Sequence, residues 1–265
     1  MTNKKLIVKK SNDLVQANFS DFELSVYRVF QTIVTKMQRH NAFAGDLLTV
    51  AMAQRECRLT ALEYAKEFNI DVSHAYEILK ISVDKLMKTS FKIIEYNLKK
   101  NKIVIKINVC EKAIYHENAG YIDVLFTQSI MPHLAELKSN FTMYYLSDIA
   151  GFNSIYTTRL YEMLMQFKTT GLLKISVEKL RFAFGCVDTF KRHSDFKRYT
   201  FEHAVKEINS KFAMKLSFTE IKTGRFITEI HFCFLAVSHD RVYDVVKEKM
   251  RTQVGRYKKV KPATK

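Results

Sequence analysis

The stretch from Asn153 to Phe234 constrains the fold more than any other part of this chain. It opens NSIYTTRLYEMLMQFKTTGLLKISVEKLRFAFG and continues, after a basic turn, DFKRYTFEHAVKEINSKFAMKLSFTEIKTGRFITEIHFCF. Helical spacing runs from Ser154 to Lys168 and stops near Gly171. Ser176 is placed to cap a short helix, VEKLRFAF, which Gly185 ends. A serine oxygen accepts an orphan backbone N–H at a helix start, and glycine tolerates the left-handed backbone that closes one. The turn from Thr189 to Asp195 follows, with Asp195 placed to cap FKRYTFEHAVKEINS. That helix should bury Phe201, Ala204, Val205, Ile208 and Phe212. Strands near 215–218 and 226–234 then flank Lys222-Thr-Gly-Arg225, a glycine-bearing hairpin turn.

The first half follows the same plan. Ser20-Asp-Phe-Glu23 reads as a capping box, with Leu24, Tyr27, Phe30, Val34 and Met37 recurring behind it at helical spacing. Residues before Val15 read as mobile and basic. From Thr60, LTALEYAKEF, a turn at Asn69-Ile-Asp71 and SHAYEILKISVDKLMK form a second helix-turn-helix candidate, with Ile78, Leu79, Val83 and Leu86 inward. On spacing alone an ordinary helical hairpin fits as well. The alternation of FKIIEYNLKKNKIVIKINV about Lys99-Lys100-Asn101 supplies a β-hairpin with a basic tip. A strand is expected over 121–126 and a helix over 128–137, with Pro132 in its first turn. Phe141 to Leu146 fits a helix or an extended connector. KLMKTSFKI in the first half echoes EINSKFAMKL in the second. The fold class is therefore α+β and helix-rich: two tandem winged-helix domains related by an internal pseudo-repeat. They are expected over 1–138 and 139–240, with a basic C-terminal tail over 241–265.

Composition limits what such a chain can do. The net charge of +16 favours a polyanionic partner, nucleic acid or an anionic surface. Only 2 Pro and 7 Gly among 265 residues argue against long flexible linkers. No apolar run approaches the ~20 residues that span a bilayer, and MTNKKLIVKK lacks a secretory apolar core, so a cytoplasmic protein is expected. Cys57, Cys110, Cys186 and Cys233 form no C-x-x-C pair, and the histidines form no metal-ligand spacing. No metal and no cofactor are expected. A nicking enzyme would need a tyrosine beside a metal-holding histidine cluster, and a helicase would need a phosphate-cradling glycine loop. Neither pattern occurs, so no enzyme is expected. In the tail, nine Lys or Arg follow from Arg241 onward against Asp244 and Glu248, which fits a frayed helix followed by disorder.

IYTTRLYEMLMQF, then DFKRYTFEHAVKEINS and KTGRFITEIHFCF, together resemble the iteron-binding plasmid replication initiators, the RepB-like superfamily that includes the initiator of the F plasmid. KSNDLVQA and FTQSIMPHLAELKSNFTMYYL extend the resemblance over roughly residues 8 to 236. The resemblance implies double-stranded DNA partners: direct repeats in a plasmid origin and an inverted-repeat operator. It further implies opening of an adjacent A+T-rich segment and recruitment of host helicase, primase and a DnaA-like initiator. A homodimer in equilibrium with monomer, formed mainly through the N-terminal domain, would repress its own gene. A DNA-binding regulator without a replication role is the alternative.

Base reading requires side chains that reach base edges from a helix in the major groove. Lys197 and Arg198, at the expected start of the recognition helix, are the first candidates, and Arg192 matches a family position that contacts DNA. The family often carries three basic residues after Asp-Phe. Here Tyr199 takes the third place and becomes a sugar or phosphate candidate. Lys191, His193, Lys222 and Arg225 are backbone candidates in the second domain, and His74, Lys80, Lys99 and Lys100 in the first. Arg159, Tyr161 and Glu162, though in the most recognisable motif, lie on a helix that packs the fold. Glu207 and Asn209 are read as ties between the recognition helix and its neighbours.

Overall fold

The computed structural model describes residues 6–41, 54–135, 137 and 140–235. The basic tail falls outside the described residues. In the first half the order is β1 (Ile7–Ser11), α1 (Asn12–Gln16), α2 (Leu24–Asn41), β2 (Glu56–Thr60), α3 (Ala61–Phe68), α4 (Val72–Lys88), β3 (Ser90–Tyr96), β4 (Lys102–Asn108), β5 (Cys110–His116) and β6 (Tyr121–Phe126). A 3-10 turn, Gln128–His133, leads to β7 (Phe141–Tyr145), α5 (Leu146–Ala150) and α6 (Ile155–Gln166). The second half adds β8 (Leu172–Ser176), α7 (Val177–Ala183), α8 (His193–Tyr199), α9 (Phe201–Lys211), β9 (Ser217–Thr223) and β10 (Phe226–Cys233).

The repeat is visible in how each helix-turn-helix begins. The last residue of β2, Thr60, accepts from the Glu63 backbone while Glu63 returns a bond to the Thr60 backbone, a complete capping box. The last residue of β8, Ser176, caps α7 by accepting from Lys179 N. Strand, capped helix, second helix and hairpin then recur in order. The pairing differs between the copies. β8 joins its own wing in a sheet ordered β8-β10-β9, whereas β2 lies in a sheet ordered β2-β6-β5, leaving β3–β4 as a separate two-stranded ribbon.

Several local expectations need correction. Residues 7–16 are ordered strand and helix, because β1 pairs antiparallel with β7. That pairing also settles 141–145 as extended. The Ser20 capping box is not made: α2 starts four residues later, Ser20 Oγ bonds Asp21 and Glu23 pairs with Lys85 at 2.5 Å. The 128–137 helix shrinks to a 3-10 turn that includes Pro132. On α4 the innermost residues are Ala75, Leu79, Ser82 and Leu86, with Ile78 and Val83 only half-buried. The long recognition helix is two helices, broken at Thr200 (φ −116°, ψ −94°), with Thr200 Oγ1 donating back to Phe196 O. Asp195 is inside the first turn of α8, whose cap position is Arg192.

The core is aromatic at both ends. Phe19, Phe22, Tyr27, Phe30, Phe91 and Phe126 form one contact chain, and Phe196, Phe201, Phe218 and Phe232 another. Full burial of each such ring is worth about 1.5–3 kcal/mol. Between these clusters runs α6, buried from Thr157 through Met165 on every face. A helix without a wet side must pair its polar groups internally. Arg159 and Glu162, at 1% and 0% exposure, do so with 2.5 Å between NH1 and Oε2. Lys10 Nζ (2.8 Å), Tyr27 OH (2.7 Å), Gln31 Nε2 (2.7 Å) and Tyr144 OH also donate to Glu162. Arg159 NH2 donates to the carbonyls of Val15 and Ala17, and its guanidinium stacks on Phe19. One carboxylate thus ties β1, α2 and β7 to α6.

Candidate nucleic-acid interface

The surface around α8 is built by one arginine underneath it. Arg181, on α7, donates to the carbonyls of Cys186, Thr189 and Phe190 and lies 4.2 Å over the Phe196 ring. These bonds hold the 186–190 turn against α8. Phe190, at φ +50°, stacks on Tyr199 (5.8 Å, 21°) and meets Tyr156 edge-on. Tyr199 is therefore a half-packed residue at the rim, with Arg198 5.5 Å from its ring.

The sequence places Lys197 and Arg198 at the start of the recognition helix. In the structure both occupy the last turn of α8, so no helix N-terminus reinforces their charge there. They also differ from each other. Arg198 is exposed, as are Lys191 and Arg192 at the start of α8. Lys197 is engaged: its Nζ lies 3.0 Å from Glu220 on β9, and His193 Nε2 lies 2.8 Å from the other oxygen. Burial works against the charge on Glu220, but the hydrogen bonds from His193 and Lys197 outweigh it and hold its carboxyl below the ordinary value. The carboxylate acts as a clamp that fixes α8 on the sheet and partly neutralises the basic surface.

Beyond the clamp, β9 and β10 project as the second wing. Lys222 and Arg225 are exposed on either side of Gly224, whose φ of +61° makes the tight turn. Thr223 and Thr228 hydroxyls bond across it at 3.0 Å. Behind the surface, Glu207 accepts from Asn153 N and Thr157 Oγ1, and Asn209 bonds both backbone groups of Leu216, the tethering roles read from sequence.

In the first half, His74 and Lys80 are exposed on α4, His74 3.8 Å from Glu77 and Lys80 5.9 Å from the Tyr115 ring. Lys99 and Lys100 sit at the tip of β3–β4. Next to that tip, Lys102 Nζ lies 3.6 Å from Glu178 at the start of α7. This contact joins the first wing to the second helix-turn-helix. Sequence reasoning missed Arg181, Glu220 and Lys10. Glu220 carried a readable signal, an acidic residue on a strand leading into a basic wing. Lys10, in a Lys-Lys pair near the N-terminus, carried none.

Two helix-turn-helix units, each followed by a wing and joined through one buried ionic cluster, define a tandem winged-helix protein of DNA-binding type. Comparison with known proteins carries this further. The chain matches the family described as "Initiator Replication protein, WH1" over residues 7–165 and "Initiator Rep protein, WH2" over 176–234. It belongs to the replication initiator family. An Escherichia coli "Replication initiation protein" is 24% identical over 207 residues, covering 76% of this chain and 62% of that one. The Escherichia coli "PI protein" is 27% identical over 152 residues, 49% of each chain. An uncharacterized 27.6 kDa Escherichia coli protein is 23% identical over 232 residues, 87% of this chain and 96% of that one. Among solved structures, the Pi initiator protein in complex with iteron DNA superposes with a TM-score of 0.65 at 22% identity, covering 90% of this chain and 100% of that one. That likeness supports the tandem fold. No helix among the described residues is long and apolar enough to cross a membrane.

Proposed function

We propose that this protein initiates plasmid replication by binding directly repeated double-stranded DNA, the iterons of an origin, without enzymatic chemistry of its own. The observation that carries the reading is the exposed set Lys191, Arg192, Arg198, Lys222 and Arg225 on a fixed helix and wing, in a chain of net charge +16 belonging to the initiator family. Arg192 and Arg198 reach base edges. Lys197 joins them by exchanging Glu220 for DNA. Lys191, His193, Tyr199, Lys222 and Arg225 position the backbone, with His74, Lys80, Lys99 and Lys100 doing the same for the first domain. Residues 139–240 read sequence, and 1–138 add backbone contact and dimerisation. Among described residues β4 pairs with β3 alone, and its exposed Ile103 and Val104 offer an edge for a homodimer. Binding in the bacterial cytoplasm would assist opening of an A+T-rich segment and recruit host helicase, primase and a DnaA-like initiator. The dimer would repress the protein's own gene.

A footprint on DNA flanking its gene, across a salt series, tests this. Protection at evenly spaced direct repeats, weakened by Arg198→Ala, is the expected result. Protection at a single inverted repeat alone would make the protein a transcriptional regulator. Binding with no preferred site would refute both readings.

A further inference from the structure

We propose that Phe226 is an apolar wedge that the second wing inserts between base pairs in the minor groove, and that Leu98 is its counterpart on the first wing. The inference rests on the DNA-binding reading above and adds a residue class that basic patches do not supply.

Phe226 is 77% exposed, although it begins a strand whose later residues Ile230 and Phe232 are fully buried. It sits opposite Thr223 across the two residues Gly224 and Arg225. The tip stands free of the body: a Cβ built on Gly224 would meet nothing within 4 Å. Folding therefore leaves a large aromatic ring in water on a hairpin tip that also carries the exposed Lys222 and Arg225.

The first wing repeats this composition. Leu98 is fully exposed and is followed directly by Lys99 and Lys100. Its turn is held rigidly. Asn97 Oδ1 accepts from the backbones of Lys99 (3.0 Å) and Asn101 (2.8 Å), and Lys100 adopts φ +60°. The leucine is thus presented on a fixed turn. In each copy one large apolar side chain and two cations occupy the tip.

The two tips also lie toward one end of the molecule. β10 extends beyond the end of β8, where Glu229 faces Ser176, and Phe226 lies three residues before Glu229 in that extension. Glu178, two residues beyond Ser176, is the residue that Lys102 of the first wing approaches. Both wings therefore emerge near the start of α7.

Charge complementarity selects the occupant. Paired cations suit the two phosphate rows that wall a minor groove, and between those rows the apolar tip meets stacked bases. Phenylalanine and leucine are residue types that wedge base steps apart and kink the duplex. Pyrimidine–purine steps such as TA unstack most readily, so the wedge favours A+T-rich positions. A partner protein that buried the ring would not need the flanking cations.

The test uses the full chain and a duplex spanning one protected repeat, with 2-aminopurine replacing each adenine in turn. Wild type should raise the probe's fluorescence at one step. Phe226→Ala should abolish the rise and lower affinity about tenfold, the scale of losing one base–aromatic stack. Its salt dependence should stay unchanged, because no charge is lost, whereas Lys222→Ala should flatten the slope by about 0.9 per phosphate contact. Phe226→Leu should restore part of the fluorescence. Unaltered fluorescence in Phe226→Ala, or none in wild type on a repeat it protects, would overturn the wedge and leave the DNA reading intact. No footprint by wild type would overturn both.

Discussion

Replacing Glu162 by alanine should destabilise this protein more than any other single change at a charged residue. The carboxylate is fully buried and receives bonds from Lys10, Tyr27, Gln31, Tyr144 and Arg159. Its pKa is lowered even though burial opposes the charge, because Lys10 and Arg159 stand on either side. Removing it leaves two cations in the core without an anion, and breaking a buried pair in this way costs about 3–5 kcal/mol. Against a total stability of about 5–15 kcal/mol, Glu162→Ala would bring the chain close to unfolding. Glu162→Gln keeps the volume and one acceptor, so it should cost less. Lys10→Met should cost least, because it leaves Arg159 and Glu162 as a balanced pair and removes a desolvated cation. Urea unfolding followed by far-UV circular dichroism gives the ranking; the chain has no tryptophan to report by fluorescence. A loss below about 1 kcal/mol in Glu162→Ala, or a larger loss in Lys10→Met, would refute a carboxylate-centred cluster.

The same cluster makes stability depend on alkaline pH. Burial pushes the Lys10 ammonium down to about 8 from 10.5, so between those values the unfolded chain holds more protons and stability rises with pH; wild type should gain on Lys10→Met from pH 8 to 10, and a constant difference would contradict the shift. Arg198→Ala should relax preference at one base pair by about 1–3 kcal/mol, measured by competition between single-base variants of the repeat. Glu220→Gln releases Lys197 and His193 and removes a negative charge from the surface. Affinity for non-repeat DNA should rise and the specificity ratio fall, and a lower non-specific affinity would show that the clamp's positioning matters more than its charge. Gly185→Ala should cost more than about 1 kcal/mol in a thermal melt, since φ is +69° and the new Cβ would lie 2.7 Å from Ser20 Cα.

Periodicity carried much of the fold because most elements here are amphipathic. The stripe Phe201, Ala204, Val205, Ile208 and Phe212 is buried as read, and both wings form where alternating residues flank a turn. What the pattern could not carry is pairing between distant segments. β1 looked like a basic leader because Lys9 and Lys10 are charged, and only the Glu162 carboxylate, far along the chain, makes Lys10 a core residue. The break at Thr200 was equally hidden. Phe196, Thr200 and Ala204, all buried, keep a four-residue helical spacing across it, and the hydroxyl that turns back to Phe196 O is an ordinary threonine in sequence. On the candidate surface the basic residues were legible as a set. Which of them are free was not, since that depends on Glu220 arriving from another strand.

That distinction bears on how the two halves work together. Arg159 and Glu162 belong to the most recognisable motif of the chain, yet they lie in its interior, away from α8 and the wing. Arg159 holds the carbonyls of Val15 and Ala17, Glu162 holds Lys10 and Tyr27, and Arg28 on α2 bonds the carbonyls of Ala150 and Phe152. Each bond links the N-terminal elements to the segment that carries the second helix-turn-helix. A protein that reads DNA with two units gains from the second only if the first sets its position, because a flexible tether lowers the effective concentration of the second contact. The motif is best understood as the part that fixes this spacing. A substitution there that spares folding should change which repeat geometry is bound before it changes the bases that are read.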